Sequence, residues 1–138
     1  RALGNRSLLA DPTRIDIKDK VNAIKRRQKF RPFAPVIMAE YAADYFEMPS
    51  AASPYMQFTS RCKYPDQFPA IVHVDGTSRV QTVTKEQHPG LYRLLERWLE
   101  ETGCPMLLNT SLNIKGFPMV NDWADADMFQ GLYQVKVF

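Results

Sequence analysis

Apolar positions set the first expectations. Ile17, Val21 and Ile24 recur at helical spacing, with Lys18, Lys20, Lys25 and Arg26 left on the other faces. Asp11-Pro12 upstream offers an N-cap followed by proline at the first helical position, and Pro32 sets a limit downstream, so a helix is expected to run to about Lys29. Pro35–Met38 reads as a short strand and Ala42–Glu47 as a short helix ending at Pro49. Tyr55–Ser60, Ala70–Val74 and Arg79–Thr84 are β-branched or aromatic runs, and Asp75-Gly76 is a hairpin turn signal. From Pro89 to Thr102 the stripe Leu91, Leu94, Leu95, Trp98 and Leu99 predicts a second helix, stopped by Gly103. Met106–Leu108 should be a buried strand leading into the polar run Asn109–Asn113. A last helix is expected around Trp123–Gln130, capped by Asn121 or Asp122, with Tyr133–Phe138 as a closing strand. Interspersed strands and helices imply an α/β or α+β class with a mixed sheet in a single domain.

Composition narrows the class. The 138 residues suffice for one domain with a buried core, and 45% hydrophobic with 12% aromatic content argues against disorder. No apolar run approaches the roughly 20 residues that span a bilayer, and no apolar segment of signal-peptide type follows the basic start; a cytoplasmic location is expected. Cys62 and Cys104 lie too far apart for a metal knuckle and read as two buried or half-buried free thiols. The chain opens on Arg1 with no initiator Met, directly in a motif, and reads as a fragment of something longer.

Charge is unevenly placed. Residues 1–31 hold ten lysines and arginines against three aspartates, a net +7 on a chain whose total is +3, which leaves −4 on the remainder. Cations gathered in this way face phosphates, of a small molecule or of nucleic acid. Lys25-Arg26-Arg27 at a helix end suits the helix dipole without any ligand. With Arg1, Arg6 and Arg31 added, mutual repulsion argues for an anion among them.

Two further segments carry candidate chemistry. In Asn109-Thr110-Ser111-Leu112-Asn113, an extended path would aim Ser111 and Asn113 at one ligand while Leu112 turns to the core; a polar turn satisfying its own backbone explains the run equally well. In His73–Arg79 the turn accounts for Asp75 and Gly76, while Thr77 and Arg79 can reach a phosphate. His73 reads as a hydrogen-bonded strand residue and His88 as a loop or cap residue. No nucleophile–base pair, Walker A loop, GxGxxG fingerprint or metal-ligand spacing stands out. A site rich in cations and donors but poor in acid/base groups suits phosphoryl or adenylyl transfer, where positioning and charge neutralisation dominate.

Several motifs, in order along nearly the whole chain, resemble the C-terminal domain of the NodU-type O-carbamoyltransferases. They are Arg1-Ala-Leu-Gly-Asn-Arg-Ser7, Ala10-Asp-Pro12, Asp19-Lys-Val-Asn22, Phe30-Arg-Pro-Phe-Ala-Pro35, Ser53-Pro-Tyr-Met56, His73-Val-Asp-Gly-Thr77, Arg79-Val-Gln-Thr82 and Leu108-Asn-Thr-Ser-Leu-Asn113. The resemblance implies a YrdC-like fold that binds carbamoyl phosphate and ATP, with Mg²⁺ accompanying the nucleotide, and that forms carbamoyl-adenylate. An N-terminal Kae1-like domain of the full enzyme would then transfer the carbamoyl group. The Lys-x-Arg and Ser-x-Asn tetrad of YrdC-type sites matches Lys25, Arg27, Ser111 and Asn113. Arg1, Arg6, Arg31, Thr77, Arg79, Asn109 and Thr110 are the further ligand-binding candidates, and the end of the chain, Trp123–Phe138, departs from the family pattern. Two rival readings stand beside it: an RNA-binding module using a basic groove, and a non-catalytic docking domain. The first is disfavoured because neither an Arg/Gly-rich tail nor basic–aromatic interleaving surrounds the cations. A homodimer stays open.

Overall fold

The computed structural model describes residues 3–26, 28, 31–113, 116 and 118–136. Their class is α+β, built on two sheets. The first has the order β1-β7-β2-β6, formed by β1 (Ser7–Ala10), β2 (Ala34–Met38), β6 (Gln81–Val83) and β7 (Met106–Ser111). It is mixed: β7 runs antiparallel to both β1 and β2, while β2 and β6 are parallel. The second sheet, β3-β4-β5, is antiparallel and joins Phe46–Glu47, Thr59–Cys62 and Thr77–Arg79. Four helices accompany them: α1 (Ile15–Ile24), α2 (Ala42–Tyr45), α3 (Pro89–Thr102) and α4 (Trp123–Tyr133).

Strand alternation sorts the core into two clusters. Leu8, Ile37, Met106 and Leu108 face one side of the first sheet, where Val21 of α1, Phe129 of α4 and Phe46 and Cys62 of the second sheet close over them. Val36, Met38, Val83 and Leu107 face the other side and are covered by Leu91 and Leu95 of α3. Leu95 is fully buried, a side chain whose removal from water contributes about 1.5–3 kcal/mol. Helix α3 begins where expected because His88 Nδ1 accepts from the Leu91 N–H, and it ends at Gly103, which takes a left-handed φ of 74°. Both cysteines are free and buried, and burial pushes each thiol up from its ordinary range.

Several elements differ from the sequence expectation, each for a local reason. Asp11 does not cap α1: its Oδ1 accepts from the Thr13 N–H and hydroxyl, a turn that delays the helix to Ile15. The helix also stops earlier than Lys29, because Arg26 turns to φ 49°. Ala42–Glu47 yields to strand at Phe46, drawn out by pairing with Cys62. Tyr55–Phe58 stays irregular, and β4 starts only at Thr59. Ala70–Val74 is no strand: Ala70, Ile71 and Val72 are buried, but their carbonyls serve a loop, with Ala70 accepting from the Phe33 N–H and Ile71 from the Ser78 hydroxyl. Arg79–Thr84 divides at Val80 between the two sheets. β7 continues through Ser111 because β1 pairs with it to the end, Ser7 against Ser111. Tyr133 belongs to α4, and no strand follows among the described residues; Val137 and Phe138 lie outside them.

Candidate functional site

Among the described residues, one face of the first sheet is covered for only part of its length. Register places Ser111, Asn109 and Leu107 of β7 on the same face as Ala34 and Val36 of β2 and Gln81 of β6. α3 covers Leu107 and Val36. Beyond its reach the face turns polar, and a cleft of about 340 Å³ opens over Ala34, Asn109, Thr110 and Ser111. Its other described walls are Leu3, Pro32, Phe33, Met56 and Arg79. The apolar stripe of β7 thus gives way to a cleft-facing end, where the run Asn109-Thr-Ser is polar yet still strand.

Beside the cleft, the end of α1 meets the end of β7. Lys25 is only 6% exposed, and its Nζ donates to the Ser111 carbonyl at 2.6 Å, the Ser111 hydroxyl at 3.1 Å and Asn113 Oδ1 at 2.8 Å. The Ser111 hydroxyl in turn donates to Asn113 Oδ1 at 2.6 Å. Leu112 points into the core between them, and the Asn113 N–H closes back on the Ser111 carbonyl. Three uncharged oxygens hold the ammonium in one place, an arrangement stronger than ordinary neutral hydrogen bonding.

The candidate residues separate by location. Arg79, Asn109, Thr110 and Ser111 line the cleft, and Lys25 and Asn113 adjoin it through Ser111. Arg6 is placed otherwise: its guanidinium donates to the Val120 carbonyl at 3.4 Å, and its own carbonyl accepts from the Leu112 N–H. Arg31 is exposed and not among the cleft-lining residues, though its carbonyl accepts from the buried Asn22 amide and its neighbours Pro32 and Phe33 are. Thr77 donates its hydroxyl to Asp75 Oδ1 at 2.7 Å, inside the turn, and does not line the cleft. Arg1 and Arg27 lie outside the described residues. Part of the basic segment is a solvated helix face, with Arg14 and Lys20 both paired to Asp16.

Some wall residues had no individual signal in the sequence. Met56 takes φ 54°, held by Ser53, whose hydroxyl accepts from the Gln57 N–H. Ser53 is itself fully buried and exchanges bonds with Thr82, donating to its hydroxyl and accepting from its N–H. Two motifs quoted for their resemblance therefore interlock at the cleft. Gln81 lies behind it, accepting from Asn109 Nδ2 at 2.6 Å and donating to the Leu3 carbonyl at 3.2 Å.

Comparison with known proteins shows the family to which the sequence is related. The family model described as "Carbamoyltransferase C-terminus" matches residues 1–137. Nodulation protein NolO of Bradyrhizobium diazoefficiens is 42% identical over 131 residues, covering 91% of this chain and 24% of that protein. Nodulation protein U of Rhizobium tropici is 41% identical over 128 residues, 91% of this chain and 22% of its own length. An uncharacterized protein of Methanocaldococcus jannaschii, MJ1058, is 41% identical over 129 residues, 91% of this chain and 21% of its length. The chain thus spans less than a quarter of the length of these curated relatives. On the extent of the family match, the chain belongs to the carbamoyltransferase C-terminus family.

Proposed function

We propose that this chain is the nucleotide-activating domain of an O-carbamoyltransferase: it binds carbamoyl phosphate and ATP and forms carbamoyl-adenylate. The observation that carries this reading is the Lys25–Ser111–Asn113 network set against a cleft whose rim bears Arg79. In the reaction, water displaces phosphate from carbamoyl phosphate, leaving carbamate. A carbamate oxygen then forms a bond to the α-phosphorus of ATP, the bond from that phosphorus to the β-bridging oxygen breaks, and pyrophosphate leaves with the electron pair. Arg79 neutralises phosphate oxygens, with a guanidinium fork suited to them. Ser111 and Asn113 orient the reacting groups, and Lys25 fixes both while adding positive charge beside them. The described residues hold no cluster of three His, Cys, Asp or Glu, so a magnesium ion would arrive on the nucleotide's own phosphates.

Transfer to the acceptor hydroxyl belongs to a preceding domain of a longer enzyme, a reading supported by relatives at least four times the length of the matched region. Among the described residues no helix is long and apolar enough to cross a membrane. The test is pyrophosphate release that depends on carbamoyl phosphate. Release should fall at least about tenfold in Arg79→Gln and Ser111→Ala, the scale of losing one transition-state contact. Pyrophosphate release that ignores carbamoyl phosphate would overturn the reading; activity unchanged by both substitutions would move the site elsewhere.

A further inference from the structure

Asn109 is a buried amide with one end left over. It is 3% exposed, yet it lines the cleft. Its Nδ2 donates to Gln81 Oε1. Among the described residues no donor reaches its Oδ1, and that oxygen is not one of the buried atoms sealed away without a partner, a condition met only by Trp98 Nε1.

The orientation of this amide is settled by a backbone group two links away. A carbonyl oxygen can only accept, so the Leu3 carbonyl requires the NH₂ of Gln81. That turns Gln81 Oε1 towards Asn109, which must answer with its own NH₂. Asn109 Oδ1 is thereby left as the outward acceptor. It differs from its surroundings, since Arg79 at the cleft carries only donors, the Thr110 hydroxyl can donate, and the Ser111 hydroxyl is already engaged with Lys25 and Asn113. The remaining walls, Leu3, Phe33 and Met56, are apolar and shield the bond from water.

From this we propose that Asn109 Oδ1 is the specificity-determining acceptor for a ligand N–H, held in register by Gln81 and Leu3. Resting on the carbamoyl phosphate reading above, the N–H is that of the carbamoyl nitrogen. An acyl phosphate with a methyl group in place of the NH₂ would leave Oδ1 facing carbon, and a buried acceptor without a donor is costly.

Calorimetric titration of the chain with carbamoyl phosphate and with acetyl phosphate tests the assignment. Carbamoyl phosphate should bind at least about tenfold more tightly, and in Asn109→Leu the ratio should fall below about threefold through lost carbamoyl phosphate affinity, with acetyl phosphate affinity retained. Gln81→Met, which frees the Asn109 amide to rotate, should narrow the ratio as well. Equal affinities in the unaltered chain overturn the inference, even if Asn109→Leu fails to fold. So does an undiminished ratio in a folded Asn109→Leu variant. Binding of neither phosphate gives a different result: it removes the carbamoyl phosphate reading, and this inference with it.

Discussion

Lys25 and Ser111 lie 86 positions apart, yet the Lys25 ammonium donates to both the carbonyl and the hydroxyl of Ser111. The pair ties the residue that closes α1 to the end of β7, joining the helix that bears Lys18 and Lys20 to the strand that ends at the cleft. Substituting Lys25→Met keeps the length of the side chain but withdraws every donor. The Ser111 carbonyl and Asn113 Oδ1 then each lose their charged donor and keep only the Asn113 N–H and the Ser111 hydroxyl respectively, which costs about 1–3 kcal/mol. Ser111→Ala leaves the carbonyl bond intact and should cost less, about 1 kcal/mol. Urea unfolding of the two variants gives the comparison, and equal losses would show that the hydroxyl, not the carbonyl, holds the lysine.

Gly4 sits in the opening motif at φ 98°, and a Cβ built there would stand 2.4 Å from Leu91 Cδ2. Both facts point to one requirement: the segment before β1 must press against α3 for the Leu3 carbonyl to reach Gln81. The leucine terminus can shift, but the left-handed backbone remains strained for alanine. Gly4→Ala should therefore destabilise by about 1–2 kcal/mol, read by thermal melting. Melting unchanged to within about 0.5 kcal/mol would contradict this account of the motif.

The elements most legible in the sequence were those defined by local chemistry. α3 carried its stripe, its cap and its glycine stop within 16 residues; the cap and the stop were found in place, and the stripe too except for Leu94, which is exposed. β7 was harder, because Asn109, Thr110 and Ser111 look like a turn until β1 is known to pair beside them. Ala70–Val74 had the composition of a strand but no ladder to join, so burial alone shaped it. The cleft was legible only in part. Ser111, Asn109 and Arg79 could be singled out as ligand candidates, whereas Leu3, Phe33 and Met56 stood in quoted motifs without a role, and their place as walls depends on contacts between distant segments. Sequence spacing cannot announce such contacts; the buried bonds between Ser53 and Thr82 are one of their causes.

His88 joins two parts of the fold through one ring. Its Nδ1 accepts from the Leu91 N–H, which leaves the proton on Nε2 to donate to Asn5 Oδ1 at 3.1 Å. Helix α3 and the opening motif therefore share a cap that works only in this neutral tautomer. His88→Ala should cost about 1 kcal/mol, as for loss of a side-chain N-cap. His88→Asn restores an N-cap acceptor but is too short to reach Asn5 as well, so it should recover part of the loss. Chemical denaturation of both variants decides the point, and an Asn variant no better than Ala would assign the cost to the Asn5 bond instead.

Stability should decline at both extremes of pH, through different groups. The Thr77 hydroxyl holds the Asp75 carboxyl below its ordinary 3.8, and Arg14, then Lys20, hold Asp16 lower still. A depressed carboxyl adds stability above its unfolded value and loses it as pH falls through the folded one, so these contributions fade below about pH 4. Tyr92 behaves in the opposite sense. Its hydroxyl donates to Glu40, which pushes it from 10.0 up to about 12. A raised value adds stability below pH 10.0 and loses it on the way to about 12. Melting temperature followed across the range should show a shallower acid limb in Asp75→Asn and a shallower alkaline limb in Tyr92→Phe. Limbs with unaltered slopes would assign the titration to other groups.

Met56 offers a means of separating stability from binding at the cleft. Its φ of 54° is a strained setting for a side chain with a Cβ, and its neighbour Ser53 is locked to Thr82 by bonds of 2.7 and 3.0 Å. Met56→Gly relieves that strain but gives the unfolded chain more freedom, two effects of about 1 kcal/mol each and opposite sign. The net change in stability should stay within about 1 kcal/mol. The cleft, however, loses an apolar lining side chain, water gains access, and hydrogen bonds within it weaken. Affinity for carbamoyl phosphate should consequently fall at least about threefold, while the melting temperature barely moves. A variant that melts far earlier would mean that Met56 supports the fold, and one that binds unchanged would mean that it stands outside the ligand's path.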